Sequence, residues 1–533
     1  MREHSTCSRV AASTLAFILM AAPLLAQDIS GGAGVLVANA DVEAKLGKGI
    51  FTPAQNKPHA VKPLEKKTVA RSMRSAHTTR QTTAGNRQSS GNSGTSGSST
   101  GGNKGQTDIS GGPLGGEVKH VLDAEGLNKQ GDDLFDAGQY DKAADSYQQA
   151  IKMKPDYADA YLNLGETYFN LARYDDAITA DKKAIALKSD WAESYRALGT
   201  AYLKTSRSAE AFDALKKSFD LDSKDPETRS ALSLAYYDRG VAAYNQEKYE
   251  DAVAAYQQAV NLKADYADAY SNLGDSYRRM DKLTEAADAY KHAAAIKPDM
   301  LETQSNLSLV YDKLGRYPEA AQAYQQVIRL KGDTDAEANN NMGYALGKSK
   351  RWSEAVVAFK RAIELNANYA EAYSNLGWAY NNIGNYTAAV DPLQKAIQLK
   401  PDLPEGHFNI GLTYSHLVNP TSADQTAMAT LKQKALAEFQ RSVELRPNWP
   451  AAQNDLGYAY GNLGKWKEAI AAHKEAIRLK PDYAGAHFNL GVAYVVTGKK
   501  KDADSEYQIL KPLNAGMAIQ LYVMIYKKAP PQG

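Results

Sequence analysis

Nine histidines, a single cysteine, a set of recurring carboxylates and a recurring asparagine are the residues from which chemistry could be built in this chain. A helix-borne zinc site needs two imidazoles one turn apart, and no H-x-x-x-H pair occurs. Instead His407, His473 and His487 fall where related segments of the chain carry Tyr or Phe, which marks them as packing residues. The lone thiol, Cys7, leaves no partner for a disulfide and no thiolate set for a metal. There is no phosphate-binding G-x-x-x-x-G-K-[S/T] loop and no strand-like stretch to carry a dinucleotide fingerprint. Glu125, Asp159, Glu193, Asp268, Glu302, Glu337, Glu371 and Glu405 recur beside expected helix starts, where a negative charge favours the helix dipole. They do not form an acid/base pair. No catalytic residue, metal or cofactor is therefore expected. What remains is an amide series: Asn163, Asn272, Asn306, Asn341, Asn375, Asn409 and Asn489. Each precedes an apolar residue and then Gly or Ser, and each amide offers both a donor and an acceptor, as a peptide unit does.

The elements that carry this series repeat. DYADAYLNLGETY (156–168) and DYADAYSNLGDSY (265–277) are nearly the same phrase. Aligning the chain every 34 residues, with three insertions, gives eleven copies starting at Ala124, Ala158, Ala192, Ser233, Ala267, Leu301, Ala336, Ala370, Pro404, Pro450 and Ala484. Repeat position eight is Gly in ten copies and Ser308 in the other, and position twenty is Ala in all eleven. In AYSNLGWAYNNIG (372–384), Tyr373, Leu376, Gly377 and Tyr380 follow the i, i+3, i+4, i+7 rule of one helix face. A turn such as GNY or GKW follows, then a second helix that stops at KPD in several copies, since proline cannot continue the helix behind it. PETRSAL (226–232) adds seven residues, about two helical turns, and is expected to lengthen a helix without rotating its buried face. The ninth copy carries twelve extra residues around 418–432, where Ser422 and Gln425 resemble a capping box that would start its second helix early.

The pattern Y-x-x-L-G-x-x-Y…A-x-x-x-Y…A…P resembles the tetratricopeptide repeat and covers essentially all of 124–517. The resemblance implies an all-α fold, an α-solenoid coiled as a right-handed superhelix of about eleven repeats with a concave groove. In that family the sixth position, held here by the seven asparagines, faces the groove. A similar asparagine ladder is known in the repeat arm of the O-linked N-acetylglucosamine transferase, but the resemblance to that enzyme stops at the repeats. Two readings of the series stand side by side: a ladder for the backbone of an extended bound chain, or amides bonded to neighbouring helices. Lys129, Ala197, Asp238 and Asp455 interrupt the series, so a continuous track is expected from the fifth to the ninth repeat.

Ahead of the repeats lies a different kind of chain. Residues 1–26 combine Arg2 and Arg9 with an apolar run from Val10 to Leu25 and a small residue at Ala26, the pattern of a secretory leader. It reads either as a cleaved signal peptide or as a retained anchor, and both place the remainder outside the cytoplasm, in a periplasm or extracellular space of bacterial type. Residues 27–118 form a Gly/Ser/Thr-rich basic linker that cannot bury enough surface to fold. Its Lys57–Arg87 stretch could meet a membrane or another anionic surface. Formal net charge is only +2, which gives no general case for nucleic acid. The expected domains are thus the leader, the linker, a repeat superhelix over 119–517, and a capping helix and tail over 518–533. The expected function is a non-catalytic scaffold that binds an extended peptide or partner protein in its groove. The alternative is a repeat subunit of an envelope polysaccharide synthesis or export machine, with Trp378 and Phe408 stacking on sugars. A glycosyltransferase-related role stands behind both.

Overall fold

A computed structural model describes residues 122–419 and 422–527. The leader, the linker and the tail from residue 528 lie outside the described residues, and so do the expectations attached to them. The described chain falls into two compact units. The first, up to Lys282, holds α1 (Ala124–Asp136), α2 (Tyr140–Met153), α3 (Ala158–Asn170), α4 (Tyr174–Leu187), α5 (Ala192–Lys204), α6 (Ser208–Leu221), α7 (Pro226–Asn245), α8 (Tyr249–Leu262) and α9 (Ala267–Arg279). The second begins with α10 (Leu283–Ile296), α11 (Leu301–Lys313), α12 (Tyr317–Leu330), α13 (Ala336–Lys348), α14 (Trp352–Leu365), α15 (Ala370–Ile383) and α16 (Tyr386–Leu399). It continues with α17 (Pro404–Leu417), α18 (Gln425–Leu445), α19 (Pro450–Asn462), α20 (Trp466–Leu479), α21 (Ala484–Val496), α22 (Lys500–Leu513) and α23 (Ala515–Tyr526). Within each unit, consecutive helices pack as antiparallel pairs and the pairs stack as layers, an all-α solenoid.

One packing device recurs in most layers. The glycine at position eight gives the second helix's residue at position twenty-four room to lie across the first helix. A Cβ on Gly131 would lie 2.5 Å from the Tyr147 ring, and one on Gly377 would lie 2.2 Å from Leu393 Cγ. The alanine at position twenty is buried in every copy, so both helices approach closely at two points. Ser308, in the glycine slot of the sixth copy, turns its hydroxyl back to donate to the Ser305 carbonyl at 2.7 Å.

In ten of the eleven copies the turn between paired helices places a left-handed residue at position fifteen. Gly138, Gly315, Gly384, Gly464 and Gly498 supply it freely, whereas Ala172, Ser206, Glu247, Asp281 and Lys350 adopt the same positive φ at a steric cost. At the other end of the layer, Lys154, Lys400 and Lys480 leave their helices with φ between −134° and −140°. The following proline excludes the helical conformation from these residues.

The insertions behave as elongated helices. PETRSAL is absorbed into α7, which starts with Asp225 as N-cap and Pro226 in the first turn. α18 does begin early, at Gln425, but its cap differs from the expected box. Asp424, not Ser422, accepts from the Ala427 N–H, and Ser422 Oγ instead accepts from the Asp424 N–H. The closing helix α23 starts at Ala515, a little ahead of the expected 518, and its Leu521 fills the slot against Gly491.

Candidate functional site

Most first helices pack on their paired helix and on neighbouring layers. Position eight faces the paired helix. From the second layer on, position three is buried, and so is position ten except at Ala242; Thr413 shows the contact with the preceding layer by donating to Asn381 Oδ1 at 2.9 Å. At 100° per residue, positions two, six, nine and thirteen then fall within about 60° of one another on the remaining side. This is the face that the resemblance assigns to the groove, and it contains the asparagine series.

The amides do not stand free there. Asn163 Nδ2 donates to Asn128 Oδ1 and to Asp132 Oδ1, both at 3.2 Å. Asn272 Nδ2 donates to Tyr237 Oη at 3.1 Å, Asn375 Nδ2 to Asn340 Oδ1 at 2.9 Å, Asn409 Nδ2 to Ser374 Oγ at 3.4 Å, and Asn489 Nδ2 to Asn454 Oδ1 at 3.0 Å. Apart from Asp132, at position nine, each of these acceptors lies at position five of the preceding layer. The series is a ladder, but its rungs join layers. Asn306, Asn341, Asn375 and Asn409 are buried; Asn163, Asn272 and Asn489 are partly exposed. Asn341 accepts from Asn340 Nδ2 at 3.3 Å. The expected uninterrupted track from the fifth to the ninth repeat therefore does not present a row of open amides, because most of its members are enclosed between layers.

Polar tips from position twenty-four join the same ladder. Tyr147 Oη passes beneath Gly131 and donates to Asp132 Oδ1 at 2.8 Å, and His473 Nδ1 lies 3.1 Å from Asn454 Oδ1. A second ladder runs on the other side of the stack, where Gln148, Gln257, Gln394 and Gln440 donate to Tyr168, Tyr277, Tyr414 and Tyr460 of the next layer at 2.6–3.1 Å. Each of these layers is thus pinned to its neighbour by a tyrosine bond away from the groove.

Where aspartate replaces asparagine at position six, burial raises its pKa. Asp238 is pushed up to about 6 and Asp455 to about 7. Burial also lifts Asp312 to about 7, although Tyr324 Oη donates to it at 2.6 Å. His473 is driven down to about 3 by enclosure under Gly457, which keeps it neutral. His407 and His487 each bridge a carboxylate, Glu438 or Glu506 at 2.6 Å, and the carbonyl of the proline six residues back. Gln304 and Gln453 reach the equivalent proline carbonyls, so position four is a turn clasp. Among the described residues no group of three His, Cys, Asp or Glu side chains is arranged to hold a metal.

Trp378 and Phe408, the two aromatics assigned to sugar stacking, are both buried. Trp378 stacks on Tyr344 and meets Trp352 edge-on at 5.0 Å; Phe408 packs on Phe439 and Trp449. Their faces belong to the core. A feature of the groove that the asparagine series obscured is position nine. In the first unit it holds Asp132, Glu166, Thr200, Val241 and Asp275; in the second, Leu309, Tyr344, Trp378, Leu412, Tyr458 and Val492. All but Trp378 are partly exposed. Reading that column across copies would have found the change, because chemistry that varies between repeats is invisible to a search for what repeats.

Family models described as TPR repeat match residues 131–171, 240–281, 348–384, 379–417 and 462–498. Models described as tetratricopeptide repeat match 156–224, 265–333 and 305–362. Comparison with curated proteins finds no match. Among solved structures, the chain is similar to the APC/C hetero-tetramer Cut9–Hcn1, with 14% identity over 76% of this chain and 96% of that one and a TM-score of 0.40. YrrB, described as a TPR protein with an unusual peptide-binding site, is 25% identical over 37% of this chain and 96% of its own, with a TM-score of 0.31. Yeast Tom70 is 15% identical over 76% and 95%, with a TM-score of 0.35. With its glycine slots, alanine contacts and helix pairs in register with these matches, the chain belongs to the tetratricopeptide repeat family.

Proposed function

We propose that this chain is a non-catalytic scaffold that holds an extended peptide or partner segment on the groove face of its repeats, and that it works outside the cytoplasm. The coarser part of this reading, a protein-interaction scaffold, follows from the family. The observation that carries the finer part is a groove face whose floor is fixed by interlayer bonds while its position-nine side chains stay partly exposed. A rigid floor reduces the entropy lost when a flexible chain binds. Of the asparagines, the partly exposed Asn163, Asn272 and Asn489 are those placed to offer a carbonyl oxygen to a bound backbone. Placement outside the cytoplasm rests on the leader pattern of residues 1–26. No helix among the described residues is long and apolar enough to cross a membrane. The polysaccharide-machine reading loses its motivating residues, since Trp378 and Phe408 are core.

Site-specific photo-crosslinking on the full chain tests the proposal. Probes at Glu166, Asp275 and Leu412 on the groove face are expected to trap a partner from envelope extract, and probes at the outward-facing Gln257 and Lys474 are not. Trapping only from the outward positions would overturn the groove reading. Turnover of a nucleotide sugar by the purified chain would overturn the non-catalytic one.

A further inference from the structure

The first two layers carry an excess of acid on the groove face that the stack does not require. At positions two, six, nine and thirteen they hold Glu125, Asp132, Asp136, Asp159 and Glu166 against a single cation, Lys129. No other adjacent pair of layers has so large an excess at these positions. The position-two acids serve helix starts, and Glu125 also meets Lys154 at 3.8 Å. At positions nine and thirteen an acid does no such service, and Asp136, the last residue of α1, opposes the helix dipole. Farther along, the face is closer to balance. Glu193 shares the third layer with Lys204, Asp275 lies 3.9 Å from Arg278, and Glu302 and Glu337 share their layers with Lys313 and Lys348.

A second observation points into the same place. In the first layer Tyr147 passes beneath Gly131 and delivers a donor to the position-nine carboxylate, Asp132. In the second layer the same path, beneath Gly165, starts from Asp181 and leads toward Glu166, whose charge acts on it. Asp181 is 1% exposed, and its Oδ1 has no hydrogen-bond partner among the described residues. An acceptor thus stands behind a position-nine carboxylate where the neighbouring layer places a donor. What Asp181 lacks is a donor, and a cationic one makes the strongest bond to such a site.

We infer that the first two layers bind a basic, extended segment of a partner protein, with one cationic side chain set between Glu166 and Asp181 and a second at Asp132 and Asp136. The inference rests on the groove reading above. Packed helices lie about 8–10 Å apart. A polyproline II chain rises about 3.1 Å per residue with three residues per turn, so every third side chain returns to one side about 9 Å farther on. Cations at i and i+3 therefore meet successive layers. The unfavourable placement of Asp136 and Asp181 in the free fold is relieved in the complex.

Fluorescence anisotropy of a labelled peptide built from repeated Lys-Pro-Pro triplets, titrated with the full chain, tests this. Binding is expected at low salt and should weaken as salt rises. Asp132→Asn and Glu166→Gln should each weaken it about two- to fivefold. Asp181→Leu should weaken it at least about tenfold while raising the urea midpoint, a combination that a purely structural role would not produce. No binding at low salt, or an affinity that all three substitutions leave unchanged, would overturn the inference. So would unchanged affinity in an Asp181→Leu chain whose midpoint has risen. Equal affinity for a peptide of the same composition with its lysines adjacent would also overturn it. A partner crosslinked from Leu412 or Asp275 whose capture is indifferent to Asp132→Asn and Glu166→Gln would sink only this inference. Absence of both peptide binding and crosslinks would sink the groove reading as well.

Discussion

Replacing Asp181 by leucine is expected to stabilise the second repeat, against the usual penalty for altering a buried residue. Asp181 occupies position twenty-four, where other copies place Tyr147, Tyr256, Tyr290 or Phe359 across the glycine. It is 1% exposed, and its Oδ1 has no hydrogen-bond partner among the described residues. Burial, with Glu166 adding to it, holds its pKa well above the ordinary carboxylate value. Leu215 and Leu393 fill the same slot in two other repeats at 0% exposure, so leucine is a shape this slot accepts. Relieving an unsatisfied buried acceptor is worth about 1–3 kcal/mol, and burying the leucine side chain adds about 1.5–3 kcal/mol. Allowing for imperfect repacking, the expected gain at pH 7 is about 2–4 kcal/mol. Because repeat stability is carried by a layer and its neighbours, the assay is hydrogen exchange across 124–221 together with urea unfolding. The pH dependence has a definite sign. The folded pKa lies above the unfolded one, so the native state binds the extra proton and stability falls as pH rises from about 4 toward the folded value. Leucine should abolish that slope in the exchange protection of 124–221, while Asp238, Asp312 and Asp455 keep theirs in other layers. An unchanged or lower urea midpoint at pH 7, or a slope that survives the substitution, would refute the reasoning.

The same sign, in a higher pH window, is expected at His487, whose pKa is raised chiefly by its bond to Glu506. Its contribution is complete below about pH 6.5 and is lost as pH rises through the folded value, which imidazole NMR titration would read. His487→Gln, copying Gln304 and Gln453, should keep the turn clasp and remove that titration. Asn375→Ala deletes a buried interlayer bond and leaves Asn340 Oδ1 short of a donor, an expected loss of about 1–3 kcal/mol by denaturant unfolding. Gly377→Ala puts a methyl 2.2 Å from Leu393 Cγ and should cost about 1–3 kcal/mol by denaturant unfolding, and combined with Leu393→Ala the loss should be smaller than the two single losses added.

Much of this architecture is legible in the sequence because it depends on what every layer shares. Gly at position eight and Ala at position twenty announce close helix contact, and the structure uses both for that. The lysine-proline pairs announce helix ends for the same steric reason that the residue before proline leaves the helical region. The asparagine series was visible too, but its role turned on where each acceptor lies. An amide facing a groove and an amide reaching the previous layer occupy the same position in a sequence. Only the distance from Asn375 Nδ2 to Asn340 Oδ1 separates them. The cap of α18 was misplaced from Asp424 to Ser422 because a capping box and an Asp N-cap are both locally plausible within three residues.

What distinguishes one repeat from another is also where ligand chemistry must reside, since shared positions can only build the stack. On the groove face the shared position is six, and it is spent largely on interlayer bonds. The variable position is nine, carboxylate-rich in the first unit and apolar in the second. A peptide that satisfied only a backbone ladder would bind every layer alike and have no register. Side chains that differ between layers supply the register, by rewarding one alignment and leaving charges or apolar surface unmatched in the others. On this reasoning position nine sets which segment binds and position six keeps the surface it binds to in place. Exchanging Leu412 for Glu should therefore change partner choice on the second unit with little effect on its unfolding, whereas Asn375→Ala should weaken the fold first and binding only through it.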